Sequence, residues 1–320
     1  MPKANQVLVL YNMNDEQKSR LEAINPAAKY IYETPSAVTQ DIINNSDVIL
    51  GSLTPEAVVG SKKLKWLQLW SAGSDAFQKF GKFPEGAILT NGSRAYGLTI
   101  SEHLIAMIIM LKRKLYIHYK DQLECIWGTG VGEISSIYGS TILIIGLGDL
   151  GLEFAKKAKV MGAEIIGVRR TAHSAPDFVD EVHTVDKLDE LLPRADIVVV
   201  SVPNTDATRK MIGKEQLAKL KKSAIIVNVG RGATIDTEAL TEVLENGHIA
   251  GAALDVTDPE PLPSEHKLWK MDNVLITPHS SGNHNLPETY RRLIEIAISN
   301  YEAYTFDKPM RNIVDFERQY

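Results

Sequence analysis

The sequence predicts an α/β protein with two doubly wound parallel sheets and a cleft between them. Short β-branched segments alternate with amphipathic segments along the whole chain, which is typical of this class. Segments such as Ile197-Val198-Val199-Val200 are apolar without interruption, as expected for strands that helices cover on both faces. The 320 residues are enough for about two domains, each with its own core.

The elements of the first sheet are predicted in the N-terminal third of the chain. Strands are expected at residues 7–11, 30–32, 47–51, 66–70 and 87–90, and helices at 15–23 and 38–45. A longer helical pattern then runs from residue 99 to about 119. Thr99 and Ser101 offer side chains that can cap the amino end of this helix.

A second series of strands and helices begins at Thr141. Strands are expected at residues 141–145, 163–168, 196–201, 224–229, 251–255 and 273–277, with helices at 150–161, 188–192, 215–220 and 237–246. In residues 287–306 apolar side chains recur on one face, which predicts a final helix. Two α/β sheets with a long helix at each junction account for this order of elements.

Composition excludes several classes of protein. Lys and Arg total 35 against 40 Asp and Glu, and the net charge of −5 argues against partners such as nucleic acid or an anionic membrane surface. The single cysteine, Cys125, excludes an internal disulfide, and we expect no metal site. The longest apolar segment, residues 104–111, is far shorter than the ~20 residues that span a bilayer. We therefore expect a cytoplasmic protein.

A glycine motif follows the first strand of the second series. Gly146, Leu147, Gly148, Asp149, Leu150 and Gly151 fit the pattern G-x-G-x-x-G between a strand and a helix. The glycines permit a tight turn that lets the backbone approach a pyrophosphate, and the helix amino end attracts that anion. The motif predicts a dinucleotide site; a tight turn without a ligand is the alternative.

The end of the next strand indicates which dinucleotide binds. A carboxylate usually holds the ribose 2′-hydroxyl of NAD at this point, but here Arg169, Arg170 and Thr171 follow the strand. A guanidinium can instead clamp the 2′-phosphate of NADP through charge-assisted hydrogen bonds. We expect NADP(H) to be preferred, with NAD(H) possible; two solvated arginines are the alternative.

Three reactive side chains are predicted just past the carboxyl ends of strands in the same half. They are Arg231, Glu260 and His279. In a doubly wound sheet ligands bind outside these strand ends, so a cation, a carboxylate and an imidazole can form a catalytic set there. Taken singly, each also has an ordinary structural interpretation as a turn, solvated or loop residue.

Four ordered blocks give the chain a family resemblance. They are residues 146–151, residues 228–236, residues 251–256 continuing through Glu260-Pro261, and residues 277–279. In these blocks the chain resembles the D-isomer-specific 2-hydroxyacid dehydrogenase family. The resemblance implies a substrate domain of residues 1–98 plus 286–320 and a dinucleotide-binding domain of residues 99–285, both Rossmann- or flavodoxin-like. It also implies a homodimer formed through the helix after Thr99.

The resemblance also implies an activity and the residues that perform it. A hydride would pass from NADPH or NADH to a small 2-keto acid, giving a D-2-hydroxy acid in a reversible reaction. Arg231 would grip the substrate oxygens, His279 would be the general acid and base, and Glu260 would orient it and favour its charged form. A dinucleotide-binding, corepressor-like scaffold without significant turnover is the alternative.

The remaining site predictions concern the two ligands. We assign Val202, Pro203, Val229, Gly230 and Asp255 to the cofactor-binding set. The resemblance suggests that Ser71, Ala72 and Gly73 bind the substrate together with Arg231 and His279. This loop follows the strand at residues 66–70, and its small residues allow backbone N–H groups to face an anion. A loop of small residues without a ligand is the alternative.

Overall fold

A computed structural model of the chain describes residues 4–128, 130–171, 174–283 and 285–318. The chain folds as two units. One contains the residues up to Tyr96 and the C-terminal residues from 285 onward, and the other contains Gly97–Asn283. These bounds lie two residues before those predicted from the sequence.

The first unit contains a parallel sheet of five strands in the order β2-β1-β3-β4-β5. The strands are β1 (Gln6–Val9), β2 (Lys29–Tyr32), β3 (Val48–Leu50), β4 (Trp66–Gln68) and β5 (Ile88–Thr90). The helices between them are α1 (Asp15–Ile24), α2 (Gln40–Asn45), α3 (Pro55–Val58) and α4 (Asp75–Phe80). Helix α1 begins with a reciprocal cap, because Asn14 and Gln17 each accept the other's backbone N–H.

The second unit contains a parallel sheet of seven strands in the order β12-β11-β10-β9-β6-β7-β8. Its strands are β6 (Thr141–Ile145), β7 (Glu164–Arg169), β8 (Glu181–Thr184), β9 (Ile197–Val200), β10 (Ile225–Asn228), β11 (Gly251–Leu254) and β12 (Val274–Ile276). Its α-helices are α5 (Gly97–Lys112), α6 (Leu115–Leu123), α7 (Asp149–Val160), α8 (Leu188–Leu191), α9 (Lys214–Ala218) and α10 (Thr237–Glu245). The two parallel α/β sheets confirm the predicted fold class.

The last helix, α11 (Pro287–Thr305), belongs to the first unit. Its Tyr301 ring stacks on Trp66 of β4 with ring centroids 6.3 Å apart, and both side chains are fully buried. The C-terminal helix therefore completes the core of a unit whose strands all lie near the other end of the chain.

The prediction of one continuous helix over residues 99–119 is wrong, because the structure has two helices there. Helix α5 begins at Gly97, so Thr99 and Ser101 lie inside it rather than capping it, and Ser101 Oγ donates to the Leu98 carbonyl oxygen. The helix ends at Lys112, and Lys114 takes a left-handed backbone conformation with φ of 52° before α6. Neither glycine nor proline marks this break, so local sequence does not reveal it.

Strand β8 was not predicted. Its four residues, Glu181–Thr184, are polar apart from Val182 and only half-buried. They form the edge of the sheet by pairing with β7, where Arg169 lies opposite Thr184. Edge strands often carry charged side chains, which remove the apolar pattern by which a strand is recognised in sequence. By contrast, all four residues of β9 are buried, as the uninterrupted apolar segment predicts.

The described residues lack both a membrane-spanning helix and a cluster of metal ligands. No helix there has both the length and the apolar composition needed to cross a bilayer. No three His, Cys, Asp or Glu side chains in the same residues are grouped so that they could hold a metal ion. The single cysteine, Cys125, is exposed.

Candidate active site

The predicted dinucleotide motif forms a tight turn between β6 and α7. Gly146 has a φ of 104°, which favours glycine, and a Cβ atom there would lie 2.8 Å from the Ser201 carbonyl oxygen. A Cβ atom on Gly151 would overlap the Gly146 carbonyl group. On Gly148 it would meet nothing within 4 Å. Packing therefore requires glycine at 146 and 151, whereas Gly148 leaves open space beside the amino end of α7.

This amino end of α7 is suited to an anion. Gly148 is the N-cap residue, so no side chain caps the first backbone N–H groups of the helix. The Asp149 carboxylate is close to α5, since a Cβ on Gly97 would lie 3.1 Å from its Oδ2. Leu147 is buried, and a Cβ on Gly167 of β7 would overlap its side chain. Leu150 is half-buried in the first turn.

Of two further loops predicted to bind the cofactor, the loop at Val202 packs against the glycine turn and the loop at Gly230 packs against Val202. A Cβ on Gly146 would lie 2.9 Å from Val202 Cγ1, and a Cβ on Gly230 would lie 2.7 Å from the Val202 carbonyl oxygen. Val202 therefore lies between Gly146 and Gly230. Val229, which precedes Gly230, is buried. Pro203 follows Val202, and its carbonyl oxygen accepts a hydrogen bond from Thr208 Oγ1.

Arg169 is the last residue of β7, and Arg170 and Thr171 follow it directly. The Nε atom of Arg169 is buried and has no hydrogen-bond partner among the residues that the structure describes. A buried donor of a cationic group is normally satisfied, so a ligand with acceptor oxygens would complete this position.

His279 and Glu260 form a hydrogen-bonded pair. His279 Nδ1 lies 2.7 Å from Glu260 Oε1, and the side chains are 48% and 43% exposed. Because a carboxylate only accepts hydrogen bonds, Nδ1 carries the proton and Nε2 is left for a second partner. The His279 backbone is left-handed, with a φ of 51°, and its N–H donates to the Asp255 carbonyl oxygen at 2.8 Å.

Asp255 fixes the loop that carries His279. Its carboxylate is 1% exposed and accepts hydrogen bonds from the Ser280 and Ser281 amides at 2.9 and 3.1 Å. The hydroxyls of Thr277 and Ser281 also donate to it. The assignment of Asp255 to the cofactor set stays a prediction, and within the protein its carboxylate anchors residues on both sides of His279.

His103 on helix α5 extends this network and was not singled out as a site residue from the sequence. Its Nε2 lies 3.1 Å from Thr277 Oγ1, and Thr277 donates its only hydroxyl proton to Asp255 at 2.6 Å. Nε2 of His103 must therefore be the donor to Thr277. His103 and Thr277 are 174 positions apart, so only the fold brings them together.

Arg231 follows β10 in a loop braced by Asn228. The Asn228 side chain donates to the Arg231 carbonyl oxygen and accepts from the Gly230 amide, both at 3.0 Å. A Cβ on Gly232 would overlap the backbone of Thr257, so this loop packs directly against the loop that leads to Glu260. The Arg231 side chain donates from Nη1 to the Gly230 carbonyl oxygen at 2.7 Å.

The sheet order places these residues in a row. His279 follows β12, Glu260 follows β11 and Arg231 follows β10. Next in the sheet come β9 with Val202, β6 with the glycine turn and β7 with Arg169. The three candidate catalytic residues thus lie beyond adjacent strands, next to the strands that carry the candidate cofactor residues, as ligand sites of doubly wound sheets do.

In the first unit, the predicted substrate loop follows β4. Ser71 Oγ donates to the Gly73 carbonyl oxygen, and the Gly92 amide donates to the Ser71 carbonyl oxygen, both at 2.8 Å. The backbone N–H groups of Ser71, Ala72 and Gly73 have no acceptor in the described part of the chain. Three successive donors without an acceptor can hold a carboxylate.

Comparison with known proteins decides the family. The family model described as "D-isomer specific 2-hydroxyacid dehydrogenase, NAD binding domain" matches residues 105–281, more than half of the chain. The chain belongs to the D-isomer specific 2-hydroxyacid dehydrogenase family. It is an NAD(P)-dependent enzyme of the 2-hydroxyacid dehydrogenase class. The family resemblance drawn from the sequence is confirmed.

Relatives of this dehydrogenase match most of the chain. Glyoxylate reductase of Korarchaeum cryptofilum is 30% identical over 86% of this chain and 84% of its own. Glycerate dehydrogenase of Methylorubrum extorquens is 31% identical over 79% of each chain. The crystal structure of a D-isomer specific 2-hydroxyacid dehydrogenase from Xanthobacter autotrophicus, in complex with NADPH and MES, is 27% identical, with a TM-score of 0.80 over 99% of this chain and 100% of that one.

The residues of this dehydrogenase fit a nicotinamide dinucleotide. The open space at Gly148 and the uncapped amino end of α7 suit a pyrophosphate. Val202 and Gly230 lie on the side of the turn toward β10 and the candidate catalytic residues, and Arg169 lies on the other side. The cofactor class is therefore established by the family.

Proposed function

We propose that this dehydrogenase reduces a 2-keto acid to the D-2-hydroxy acid with NADPH, and catalyses the reverse reaction, with His279 as general acid and base. The observation that carries the proposal is the 2.7 Å hydrogen bond between His279 and Glu260, at the sheet edge that also carries the glycine turn. When bound, the nicotinamide supplies or accepts the hydride. The chain's own residues handle the proton and the substrate charges.

His279 supplies the proton during reduction. Negative charge develops on the keto oxygen as the hydride arrives, and the imidazolium donates a proton to it from Nε2. Glu260 accepts the hydrogen bond from Nδ1–H, so it orients the ring and leaves Nε2 for the substrate. In the oxidative direction the neutral ring takes the hydroxyl proton back.

Arg231 binds the oxygens of the substrate. A guanidinium presents two parallel donors to a carboxylate or to adjacent carboxylate and carbonyl oxygens, which a lysine cannot reproduce. Packing of its loop against the residues before Glu260 supports a shared role for the two side chains. In the first unit, the amides of Ser71, Ala72 and Gly73 are proposed to bind the substrate carboxylate.

The preference for NADPH rests on Arg169, Arg170 and Thr171. A guanidinium at the end of β7, with a buried Nε donor that no described residue satisfies, suits the 2′-phosphate. NADH would leave that donor without an acceptor and should bind more weakly. Arg169→Asp should reverse the preference, and an unchanged ratio of kcat/KM values for NADPH and NADH would refute the role of Arg169.

Assembly as a homodimer is part of the proposal. Helix α6 and the residues after it expose large apolar side chains: Leu115, Tyr119, Leu123, Ile126 and Trp127, the last of them 95% exposed. Exposed apolar side chains concentrated in one segment often mark a contact with another protein, which we propose to be a second copy of the chain. Light scattering should give twice the chain mass of 35.4 kDa. A cytoplasmic location stays a prediction.

A substrate panel tests the activity. Oxidation of NADPH and of NADH is followed at saturating cofactor with glyoxylate, hydroxypyruvate and phenylpyruvate, and chiral analysis of the phenylpyruvate product identifies the isomer formed. We expect turnover with at least one acid and the D product. Tight cofactor binding without turnover of any acid would instead support the corepressor-like scaffold.

A further inference from the structure

Four aromatic side chains gather at the carboxyl edge of the first unit's sheet. Tyr11 follows β1, Trp70 follows β4 and Tyr96 follows β5, while Tyr290 lies in the first turn of α11. Trp70 directly precedes the Ser71–Gly73 loop. The cluster, defined by these four residues, is thus continuous in sequence with the segment proposed to bind the substrate carboxylate.

Contacts within the cluster fix the positions of its rings. Tyr11 packs edge-to-face on Trp70 with centroids 6.0 Å apart, and its centroid lies 6.3 Å from that of Tyr290. Tyr96 Oη donates to the Trp70 carbonyl oxygen at 2.7 Å. The Asn12 amide donates to Tyr290 Oη, also at 2.7 Å. The rings are therefore held in place before any ligand binds.

The four rings differ in burial. Tyr11 and Tyr96 are 3% and 6% exposed, so they form the inner layer of the cluster. Trp70 and Tyr290 are only partly buried and form its outer layer. Partly exposed rings on a rigid inner layer can gain contact area from a ligand without rearranging.

The chemistry of a 2-keto acid places its side chain close to its carboxylate. Only the keto carbon separates the two, so a carboxylate held by the Ser71–Gly73 amides brings the side chain within a few ångströms of that loop. Trp70 is the residue directly before this loop. Glyoxylate carries only hydrogen at this position and would leave the ring surfaces in water.

We propose that the outer rings of the cluster, Trp70 and Tyr290, receive the substrate side chain, and that the preferred substrate is a 2-keto acid with an aromatic side chain. The inference rests on the proposed function. An aromatic side chain would bury apolar area against the two rings and add ring–ring contacts, which neither glyoxylate nor hydroxypyruvate can do. No charged side chain is needed for this selectivity.

Comparing two acids with one cofactor tests the inference. In the unmodified dehydrogenase, kcat/KM for phenylpyruvate should exceed that for glyoxylate at least tenfold. Tyr290→Ala should lower kcat/KM for phenylpyruvate about five- to tenfold and change that for glyoxylate less than twofold, since loss of one ring contact affects only the aromatic substrate. Tyr290→Phe keeps the ring and should retain the selectivity.

A matched control lies on the same helix. Phe306 follows the carboxyl end of α11 and is 55% exposed, so Phe306→Ala removes an aromatic ring far along the helix from Tyr290 and should change neither value. Equal losses for both acids in Tyr290→Ala, or a preference for glyoxylate in the unmodified enzyme, would overturn the inference while leaving the proposed function intact. Absence of turnover with every acid and both cofactors would reject the proposed function itself.

Discussion

The two sheets are built alike at the edge where their strands begin. Asp47, just before β3, accepts hydrogen bonds from the Asn5 and Gln6 amides at the start of β1. Asp196, just before β9, accepts one from the Thr141 amide at the start of β6. Lys65 and Lys221 pair with these carboxylates at 2.9 and 2.8 Å. The same device joins two neighbouring strands in each unit.

At the edge where their strands end, the two sheets differ. In the second unit a buried carboxylate, Asp255, is satisfied by four donors and holds the loop of His279. In the first unit, aromatic rings surround Tyr11, whose buried hydroxyl has no partner in the described residues. One edge fixes the loop of His279, the proposed general acid and base, through hydrogen bonds, and the other carries aromatic rings. We therefore expect substitutions where the strands begin to change stability, and substitutions where they end to change activity.

The largest effect should come from the reacting group itself. His279→Ala should lower kcat/KM by about 10²- to 10⁴-fold without unfolding the protein, because the proton donor is lost. The edge strand β8 offers a matched control: His183 and Glu181 form a pair at 2.8 Å, 32% and 34% exposed. His183→Ala should leave kcat/KM within twofold. Near-normal turnover of the His279 variant would break the contrast between the two edges.

A smaller effect is expected from the network behind His279. Thr277→Val removes the hydroxyl that joins His103 to Asp255, and kcat should fall about tenfold because the imidazole is held less firmly. Thr241→Val is the control, since the Thr241 side chain is buried and its hydroxyl donates to the Thr237 carbonyl oxygen within α10. Both variants should lose about 1 kcal/mol of unfolding free energy. Equal kcat values for the two would show that Thr277 is merely structural.

The smallest effects are expected from substitutions at the sheet edges where the strands begin. These substitutions should change stability and leave activity unchanged. Burial by itself would raise the pKa of Asp47, but the Lys65 ammonium and the Asn5 and Gln6 amides outweigh it and hold the pKa below its ordinary value. For Asp196, the Lys221 ammonium and the Thr141 amide likewise outweigh burial and lower the pKa. Asp47→Asn and Asp196→Asn should each cost about 1–2 kcal/mol at pH 7 and leave kcat unchanged.

The pH dependence of that cost follows from the direction of the two shifts. A carboxylate with a lowered pKa stabilises the fold above its ordinary value of about 3.9, and this contribution is lost as the pH falls through its folded value. Urea unfolding at pH 7 and pH 3 should therefore show a smaller difference between variant and unmodified protein at pH 3. The exposed Asp177→Asn should change stability little at either pH. If the difference in unfolding free energy were the same at pH 7 and pH 3, the carboxylate charge would not be the cause of the stabilisation.

Much of this architecture could be predicted from the sequence because its signals are local. The apolar segment of β9 and the glycines of the turn at Gly146 determine structure within a few residues. The same local reading places Arg231, Glu260 and His279 just past strand ends, where the structure has them. Their catalytic roles remain predictions, since position at a strand end does not by itself establish chemistry.

Only the tertiary structure decided which of these residues meet. The order β12-β11-β10-β9 cannot be derived from local pattern, yet it brings the Arg231 loop against the Glu260 loop. The edge strand β8 and the break at Lys114 lack a local sequence signal. Strand β8 is defined by its pairing with β7. His103 contacts Thr277, which lies 174 positions later in the chain. Tyr11 contacts Tyr290, and these two residues lie near opposite ends of the chain. Contacts at such separations depend on how strands and helices pack, which periodicity alone does not encode.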